Sequence, residues 1–241
     1  MTDAASLGTI LGVWAHPDDD IFLTAGLMAT AVGAGGRVVD VTATRGEGGS
    51  MDEERWPSAT MGAVRTQELL RSLEILGVTE HRFLDGPVDV DMDEHLDEAG
   101  AAQVLAIVEE VQPDTILTFG PDGMTGHQGH KDVCRWATEA FEAAAKPGAR
   151  LYYATQTPEF VAEVVPQVER FNIFRPGTPP VTPRSELGID FSAEGEVLAR
   201  KIASLEAHES QIEGLLEVFG KEGLSRFLRD ESFRDGGRKE G

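Results

Sequence analysis

Short apolar runs alternate with longer amphipathic segments over the first two thirds of the chain. The runs predict buried strands at 9–15, 38–43, 82–84, 115–119 and 151–154. Apolar residues with helical spacing predict helices at 21–32, 58–76, 101–111, about 130–145 and 193–212. Strands that alternate with helices are typical of a parallel sheet with right-handed crossovers. We therefore predict an α/β fold, a Rossmann-like three-layer sandwich with a mainly parallel sheet.

The length of 241 residues fits one domain. We predict a single catalytic domain over 1–241, with a Rossmann-like core at about 8–155, a C-terminal elaboration at about 156–235 and a frayed tail at 236–241. Two long loops, 44–57 and 85–97, interrupt the core. Loops of that length in a compact domain usually carry function.

Acidic residues dominate the charge. The chain has 21 Lys and Arg against 42 Asp and Glu, a net charge of −21. Such a surface repels phosphate backbones and anionic membranes, so we expect no nucleic acid or membrane partner. The single cysteine, Cys134, cannot form an internal disulfide or by itself make a thiolate metal site. Residues 1–6 have no basic n-region and no apolar run reaches about 18 residues, so we predict a cytoplasmic protein.

Two segments carry the strongest chemical signal. AHPDDD at 15–20 stands where the first strand ends and the first helix begins, and GPDGMTGHQGH at 120–130 follows the fourth strand. In a sheet of order 3-2-1-4-5 the ligand crevice lies between strands 1 and 4, at their carboxyl ends. The two segments are therefore predicted to converge there. His81 and His95 lack such neighbours and are expected at the surface.

Imidazoles and carboxylates in one crevice suit a divalent metal. A catalytic zinc takes three protein N or O ligands and leaves one position for water. His16, Asp19 and either His127 or His130 supply that number. Taken alone, the acidic run could be a helix cap with a solvated face, and each histidine an ordinary loop or core residue. The combination at two strand ends favours the metal, because a cation also relieves the repulsion among three successive aspartates.

These segments together resemble the signatures of a known family. AHPDDD is similar to AHPDDE, and GHQGH to GHPDH, in the PIG-L/LmbE-like metal-dependent N-acetylglucosamine deacetylases, which include enzymes of the mycothiol and bacillithiol pathways. Further matches cover most of the chain, at 44–47, 65–68, 76–78, 122–123, Lys201, His208 and Gln211. The resemblance implies an LmbE-like deacetylase fold. It also implies that His208 and Gln211 pack near the catalytic loop, without a catalytic role.

Residue by residue, the resemblance implies roles for five side chains. His16, Asp19 and His130 would be the metal ligands, with Zn²⁺ as the metal, although Fe²⁺ is compatible with the same donors. Asp18 would be the general base, and His127 would stabilise the developing oxyanion. The chemistry of metal-dependent amide hydrolysis is consistent with these roles, because an activated water needs a carboxylate to take its proton and the tetrahedral intermediate needs a hydrogen-bond donor.

Two positions depart from the family pattern. Asp20 stands where Glu is usual, and its side chain is shorter by one methylene at a position that is not a ligand. Gly129 replaces the usual Asp before the second histidine, which removes a carboxylate that could orient its neighbour. Asp132 is the candidate to substitute for it.

Four residues are candidates for binding the substrate: Arg45, Glu47, Arg65 and Asp85. Arg65 and Asp85 resemble family positions that bind sugar hydroxyls, and a guanidinium with a carboxylate satisfies both donors and acceptors of a polyol. Alternatively, Arg65 pairs with Glu68 one turn away on its helix, and Glu47 among its neighbouring glycines is only a turn residue.

The sequence thus predicts a zinc-dependent hydrolase that removes the N-acetyl group from a small amino-sugar or glycoconjugate. An amidase on a larger thiol-conjugate-type amide would use the same machinery, and the loops 44–57 and 85–97 would decide between the two. A non-catalytic metal-binding Rossmann-like module is the competing class, but it would have no use for a base and an oxyanion donor. A nucleotide-binding module is weaker still, since no Gly-rich phosphate loop follows the first strand. The oligomeric state is left open.

Overall fold

The computed structural model describes residues 2–241 as one seven-stranded sheet with helices on both faces. The strands are β1 (Ile10–Trp14), β2 (Val38–Thr42), β3 (Glu80–Phe83), β4 (Thr115–Thr118), β5 (Arg150–Ala154), β6 (Leu187–Ser192) and β7 (Asp230–Arg238). The helices are α1 (Asp19–Gly33), α2 (Ser58–Leu76), α3 (Ala99–Val111), α4 (Gln128–Ala144), α5 (Pro158–Glu163), α6 (Val165–Val168), α7 (Gly195–Glu206) and α8 (Glu209–Leu228). Short 3₁₀ turns lie at Ala4–Leu7, Glu169–Phe171 and Arg184–Glu186.

The strand order is β3-β2-β1-β4-β5-β7-β6. β1 to β5 are parallel to one another, which confirms the predicted α/β fold and the predicted order 3-2-1-4-5. The order reverses between β1 and β4, so the crevice of an open parallel sheet lies at their carboxyl ends. The C-terminal part adds two strands that the sequence did not predict, since β7 pairs antiparallel with both β5 and β6.

Continuous apolar runs account for the central strands. Every residue of β1 and β2 is buried, as expected for strands that are covered by helices on both faces. α1, α2 and α7 pack together on one side of the sheet, and α3 packs with α4 on the other. In the core beneath the crevice, the fully buried rings of Trp14 and Phe119 meet edge to face at 5.2 Å.

The predicted helix at 58–76 has the observed bounds of α2. Gly77 ends it in the left-handed conformation, with φ of 79°, and donates its N–H to the carbonyls of Leu73 and Glu74. Glycine adopts this conformation without the steric penalty of a Cβ, so one residue ends the helix as its apolar spacing ends.

Two expectations for the C-terminal part are wrong. The predicted helix at 193–212 is two helices, because the chain leaves the helical conformation at His208, with φ of −90° and ψ of 55°, before α8 begins. The tail expected to fray from 236 onward instead contributes residues as far as Arg238 to β7, where they are held by hydrogen bonds to β5. Among residues 2–241, no helix is long and apolar enough to cross a membrane.

Candidate active site

Two loops meet at the carboxyl ends of β1 and β4. The loop after β1 carries His16, and the segment between β4 and α4 leads to His127 and His130. The rings of His16 and His130 lie 5.0 Å apart between centroids, although 114 residues separate them in the chain. The structure thus brings together the two segments that the sequence placed at this crevice.

His16, Asp19 and His130 form a tight cluster of three donor groups. Nδ1 of His16 lies 3.0 Å from Nε2 of His130 and 3.5 Å from Oδ2 of Asp19, and Nε2 of His130 lies 3.4 Å from Oδ1 of Asp19. Donor atoms that surround a tetrahedral zinc at about 2.0–2.2 Å are separated from one another by roughly 3.4 Å. The spacing of the three residues therefore fits a single divalent cation.

His127 lies close enough to suggest a different set. His16, His127 and His130 each offer one nitrogen, and these atoms all lie within 4.8 Å of one another. The ring of His127 is 6.2 Å from that of His16 and 4.9 Å from that of His130. The cluster with Asp19 fits a cation better, because its atoms already have the 3.0–3.5 Å spacing of a coordination shell.

The ring of His130 is held by its surroundings. Its Nδ1 lies 2.9 Å from the carbonyl oxygen of Gly123, an acceptor that requires the N–H at Nδ1. The ring also stacks on Phe119, with 4.0 Å between centroids and 10° between planes. Nε2 is thereby left as the nitrogen with a free lone pair, which is how histidine ligands are commonly oriented.

Asp89 is a residue of the site that the sequence did not single out. Its Oδ1 lies 3.4 Å from Nε2 of His16, on the side of the ring away from His130. A carboxylate behind a histidine ligand fixes the ring and raises its basicity. Asp89 lies in loop 85–97, and only the path of that loop in space brings it to His16.

Charge in the cluster is distributed unevenly. Burial opposes a charge on His16, but the carboxylates of Asp19 and Asp89 outweigh it and raise the pKa of His16 to about 10. Burial also opposes ionisation of Asp19, yet His130 and His16 hold the pKa of its carboxyl far below the usual range. Burial lowers the pKa of His130 to about 3, so its ring stays neutral.

Asp18 is held beside the cluster by Arg65. Its backbone has φ of 143°, a conformation that non-glycine residues rarely adopt. Nη2 of Arg65 donates to Oδ2 of Asp18 and to the carbonyl of Pro17, at 3.0 Å in each case. A Cβ on Gly46 or Gly49 would lie 2.3 Å from the guanidinium, so these glycines provide the space for it. Arg65 thus packs under the loop that carries Pro17 and Asp18.

The two largest effects on the protonation of Asp18 oppose each other. Burial raises the pKa of its carboxyl and the charge of Arg65 lowers it, with a net result of about 6. A carboxylate that titrates near neutral pH can both accept and release a proton.

His127 precedes the first residue of α4. Burial lowers the pKa of its ring, and the neighbouring charge of His16 lowers it further. The environment favours the neutral ring, which still has one N–H to donate.

The other candidate substrate residues lie on the two long loops. Oε2 of Glu47 accepts from the backbone N–H of Arg45 at 3.2 Å and from that of Asp89 at 3.1 Å. Glu47 is therefore more than a turn residue, because it joins loop 44–57 to loop 85–97. The guanidinium of Arg45 lies over the ring of Phe83. Asp85 is exposed, and its backbone rather than its carboxylate bonds to Gln103.

The alternative pairing of Arg65 with Glu68 is wrong. Glu68 accepts instead from the backbone N–H and the hydroxyl of Ser210, at 2.8 and 2.7 Å. Nearby, Gln211 donates to the carbonyl of Gly49 at 3.0 Å, so the start of α8 contacts loop 44–57. His208 is 1% exposed, and neither of its ring nitrogens has a hydrogen-bond partner within residues 2–241.

Two further expectations fail. Asp132 does not orient His127 or His130, because its carboxylate accepts from the backbone N–H of Leu96 and lies 3.0 Å from Nδ1 of His95. His81 is not a surface residue. Its side chain is only 8% exposed, with Nε2 3.0 Å from the hydroxyl of Thr42. His95 is exposed as predicted.

Two carboxyls are buried behind the loop that carries His16. Asp20 and Asp40 are both 0% exposed, and none of their carboxyl oxygens has a hydrogen-bond partner in the described part of the chain. Burial, together with the charge of Asp19, raises the pKa of Asp40 to about 8. Burial and the charge of Asp40 raise the pKa of Asp20 well above its usual range.

A family profile described as GlcNAc-PI de-N-acetylase matches residues 11–141, more than half of the chain. The chain belongs to the PIG-L family. The predicted family, and the predicted enzyme class of an amide hydrolase that removes acetyl groups, are thereby confirmed. The profile spans both signature segments of the crevice.

Curated relatives of this PIG-L chain are similar over most of its length. Proteins from Saccharomonospora viridis and Streptomyces avermitilis are each 32% identical to it. The alignments cover 84% of this chain and 85% of the first relative, and 85% of this chain and 83% of the second. Both relatives are named 1D-myo-inositol 2-acetamido-2-deoxy-alpha-D-glucopyranoside deacetylase.

Solved structures share the fold at lower identity. An N,N'-diacetylchitobiose deacetylase from Pyrococcus horikoshii has a TM-score of 0.62 and 18% identity, with 94% of this chain and 83% of that one covered. A 4-carboxy-2-hydroxymuconate hydratase from Pseudomonas putida also has a TM-score of 0.62, at 16% identity, with 97% and 98% covered. The LmbE-like fold is therefore confirmed, and since a hydratase shares it, the fold alone does not determine the reaction.

Proposed function

We propose that this chain hydrolyses the N-acetyl amide of a small amino-sugar glycoconjugate and releases acetate and a free amine. The names of its relatives support N-acetylglucosamine joined to inositol as the first substrate to test. The observation that carries the proposal is Asp18, a buried carboxyl with a pKa of about 6 that Arg65 holds beside the cluster of His16, Asp19 and His130.

We propose that the cation is held by Nδ1 of His16, a carboxylate oxygen of Asp19 and Nε2 of His130. Zinc suits these donors, and Fe²⁺ is an alternative with the same preference for imidazole and carboxylate. When bound there, a divalent cation lowers the pKa of a coordinated water toward about 7 and polarises the amide carbonyl.

Asp18 is proposed to move the proton. Its carboxylate accepts a proton from the attacking water as the water oxygen forms a bond to the amide carbon. The carboxyl then gives that proton to the amide nitrogen as the carbon–nitrogen bond breaks, so acetate and the free amine are the products. A pKa of about 6 suits both halves of this transfer near neutral pH.

His127 is proposed to donate its N–H to the former carbonyl oxygen, where negative charge gathers in the tetrahedral intermediate. Because its pKa is lowered, the donor is a neutral imidazole. A neutral N–H still stabilises the oxyanion when it is aimed at the atom on which the charge develops.

Arg45, Glu47 and Asp85 are proposed to meet the sugar hydroxyls from the loops that flank the crevice. Arg65 was a candidate for the same task, but its guanidinium is directed to Asp18 and Pro17. We therefore propose that Arg65 positions the base rather than the sugar. The larger thiol-conjugate-type amide remains a proposal for the same machinery, with the same two loops as the determinants.

An assay on a substrate panel tests the proposal. The chain is loaded with zinc or with Fe²⁺, and free amine and acetate are measured with N-acetylglucosaminyl inositol, free N-acetylglucosamine and a larger thiol-conjugate amide. Equal amounts of amine and acetate are expected from the first substrate, formed at least about 100-fold more slowly by the Asp18→Asn variant. Metal-loaded wild type that releases no acetate from any of these substrates would refute the proposed function.

A further inference from the structure

An ion pair lies fully buried between α1 and the C-terminal part of the chain. Nζ of Lys201 on α7 is 2.6 Å from Oε1 of Glu231 on β7, and both side chains are 0% exposed. The two residues lie outside the segment 11–141 that the family profile matches. This Lys201–Glu231 pair has no part in the mechanism proposed above.

The pair bonds to the backbone of α1 at three points. Nζ of Lys201 donates to the carbonyl of Phe22 at 3.1 Å. The N–H groups of Gly26 and Leu27 donate to the two carboxylate oxygens of Glu231 at 2.7 and 2.8 Å. In a regular α-helix the carbonyl of Phe22 and the N–H of Gly26 are partners of each other. Here each of them has a charged side chain as a partner.

Gly26 makes this approach possible. A Cβ at position 26 would lie 3.1 Å from Oε1 of Glu231 and 2.8 Å from the ring of Phe191. The helix surface is thus bare at the point where the carboxylate reaches the backbone. Gly26, the adjacent ring of Phe191 and the ion pair with Lys201 thus all favour one position of Glu231 against α1.

One residue links the pair to the proposed base. Phe22, whose carbonyl accepts from Lys201, donates its own N–H to the carbonyl of Asp18 at 3.0 Å. Asp19, a proposed metal ligand, lies in the same turn. A shift of this turn along the helix axis would therefore move the carboxylates of Asp18 and Asp19.

The energetics of buried ion pairs make stability a poor explanation. Removing two charges from water is costly, and apolar side chains of similar volume are often as stabilising or more so. What a buried pair with fixed partners does specify is position, because its hydrogen bonds are satisfied in only one arrangement.

We infer that the Lys201–Glu231 pair is a positioning device for the active site, which fixes the first two turns of α1 and with them Asp18 and Asp19. The catalytic part of this inference rests on the proposed function, whereas the effect on metal binding does not. The C-terminal elaboration thereby sets the geometry of a site to which it contributes no ligand.

The test replaces both members by apolar residues of similar volume, in the double variant Lys201→Met/Glu231→Met. We expect its unfolding temperature to stay near the wild-type value. Zinc affinity, measured by competition with a chelator, should fall about 10- to 100-fold, the usual effect of losing groups that orient ligands. kcat should fall about 100-fold with little change in KM, since displacement of a base by about 1 Å has that effect.

Arg200→Met is the matched control. Arg200 precedes Lys201 on α7 and donates to a backbone carbonyl of α2, that of Ile75, at 3.0–3.1 Å. Its loss removes a helix contact of the same kind without touching α1, so zinc affinity and kcat should be unchanged.

Wild-type zinc affinity and wild-type kcat in the double variant would overturn the inference. If the double variant does not fold, zinc affinity and kcat are measured instead on Glu231→Gln, which keeps the volume and an acceptor oxygen. The zinc measurement needs no substrate, so failure of the proposed function would appear separately, as a wild type that binds zinc and hydrolyses no N-acetyl sugar.

Discussion

The guanidinium of Arg65 lies 3.0 Å from the carboxylate of Asp18, and their side chains are only 5% and 15% exposed. Burial and the neighbouring Asp19 raise the pKa of Asp18, and Arg65 opposes them. The pair therefore sets both where the proposed base lies and the pH at which it ionises.

Asp18→Asn tests the base directly. The amide keeps the shape of the carboxyl but cannot accept the proton from water, so kcat should fall by about 10²–10⁴-fold. Zinc content, measured on the purified variant, should equal that of wild type. Loss of zinc would show that Asp18 is a ligand, and full activity would show that the base lies elsewhere.

Arg65→Met tests the electrostatic role of the guanidinium. Its removal takes away the larger of the two charges that lower the pKa of Asp18, so the acidic limb of kcat/KM against pH should move above its wild-type position near pH 6. A charge at this distance usually accounts for about one pH unit or more. Arg71→Met, on the same helix, is the control. If the acidic limb does not move and KM rises, Arg65 binds the sugar instead of setting the pKa of Asp18.

Metal analysis distinguishes the two possible ligand sets. If Asp19 completes the set, Asp19→Ala and His130→Ala should each lose most bound zinc, whereas His127→Gln should retain it and lose only kcat. The fold should persist in all three variants, because the buried parallel strands carry its stability. His95→Ala, at a side chain that is 73% exposed, should change neither property. Zinc lost from His127→Gln and kept by Asp19→Ala would favour the set of three histidines.

The cluster of His16, Asp19 and His130 was predictable because its residues adjoin two neighbouring strands. Once β1 and β4 are recognised as apolar runs in a parallel sheet, the loops that bear His16 and His130 must meet at one edge. The ends of α2 were predictable from the local sequence, because apolar spacing and Gly77 mark them.

Other features depend on tertiary contacts that no short segment encodes. Asp89 stands in a run of alternating acidic and apolar residues, and only Glu47 and the path of the loop bring it to His16. β7 has too many polar residues and glycines to be read as a strand, and it forms because β5 and β6 flank it. The break before α8 has no Gly or Pro signal, but Ser210 is held there by Glu68.

Asp40→Asn should alter how stability depends on pH. The native pKa of Asp40 is about 8, far above that of the unfolded chain, so the native state binds more protons between the two values. Wild-type unfolding free energy should therefore fall as pH rises through this range, by up to about 1.4 kcal/mol per pH unit for one such group.

The asparagine variant lacks this ionisation, so its stability relative to wild type should increase from about pH 5 to about pH 8. Chemical denaturation at several pH values measures the difference. Glu217→Gln, at an exposed position on α8, is the control and should differ from wild type by a constant amount. A constant difference for Asp40→Asn as well would mean that its carboxyl is ionised in the native protein.

The two histidines of the proposed metal site differ in what keeps their rings in place. His16 relies on the carboxylate of Asp89, which a single codon change can remove. His130 relies on the main-chain oxygen of Gly123, which every amino acid possesses. No change of side chain removes that oxygen, so a substitution can move it only by changing the backbone conformation. Gly123 has φ of 74°, and a Cβ added there would lie 2.9 Å from the side chain of Lys131 and 3.0 Å from the carbonyl oxygen of His127. One ligand is thus open to gradual evolutionary adjustment through its partner, while the other can be altered only by rebuilding the turn that presents it.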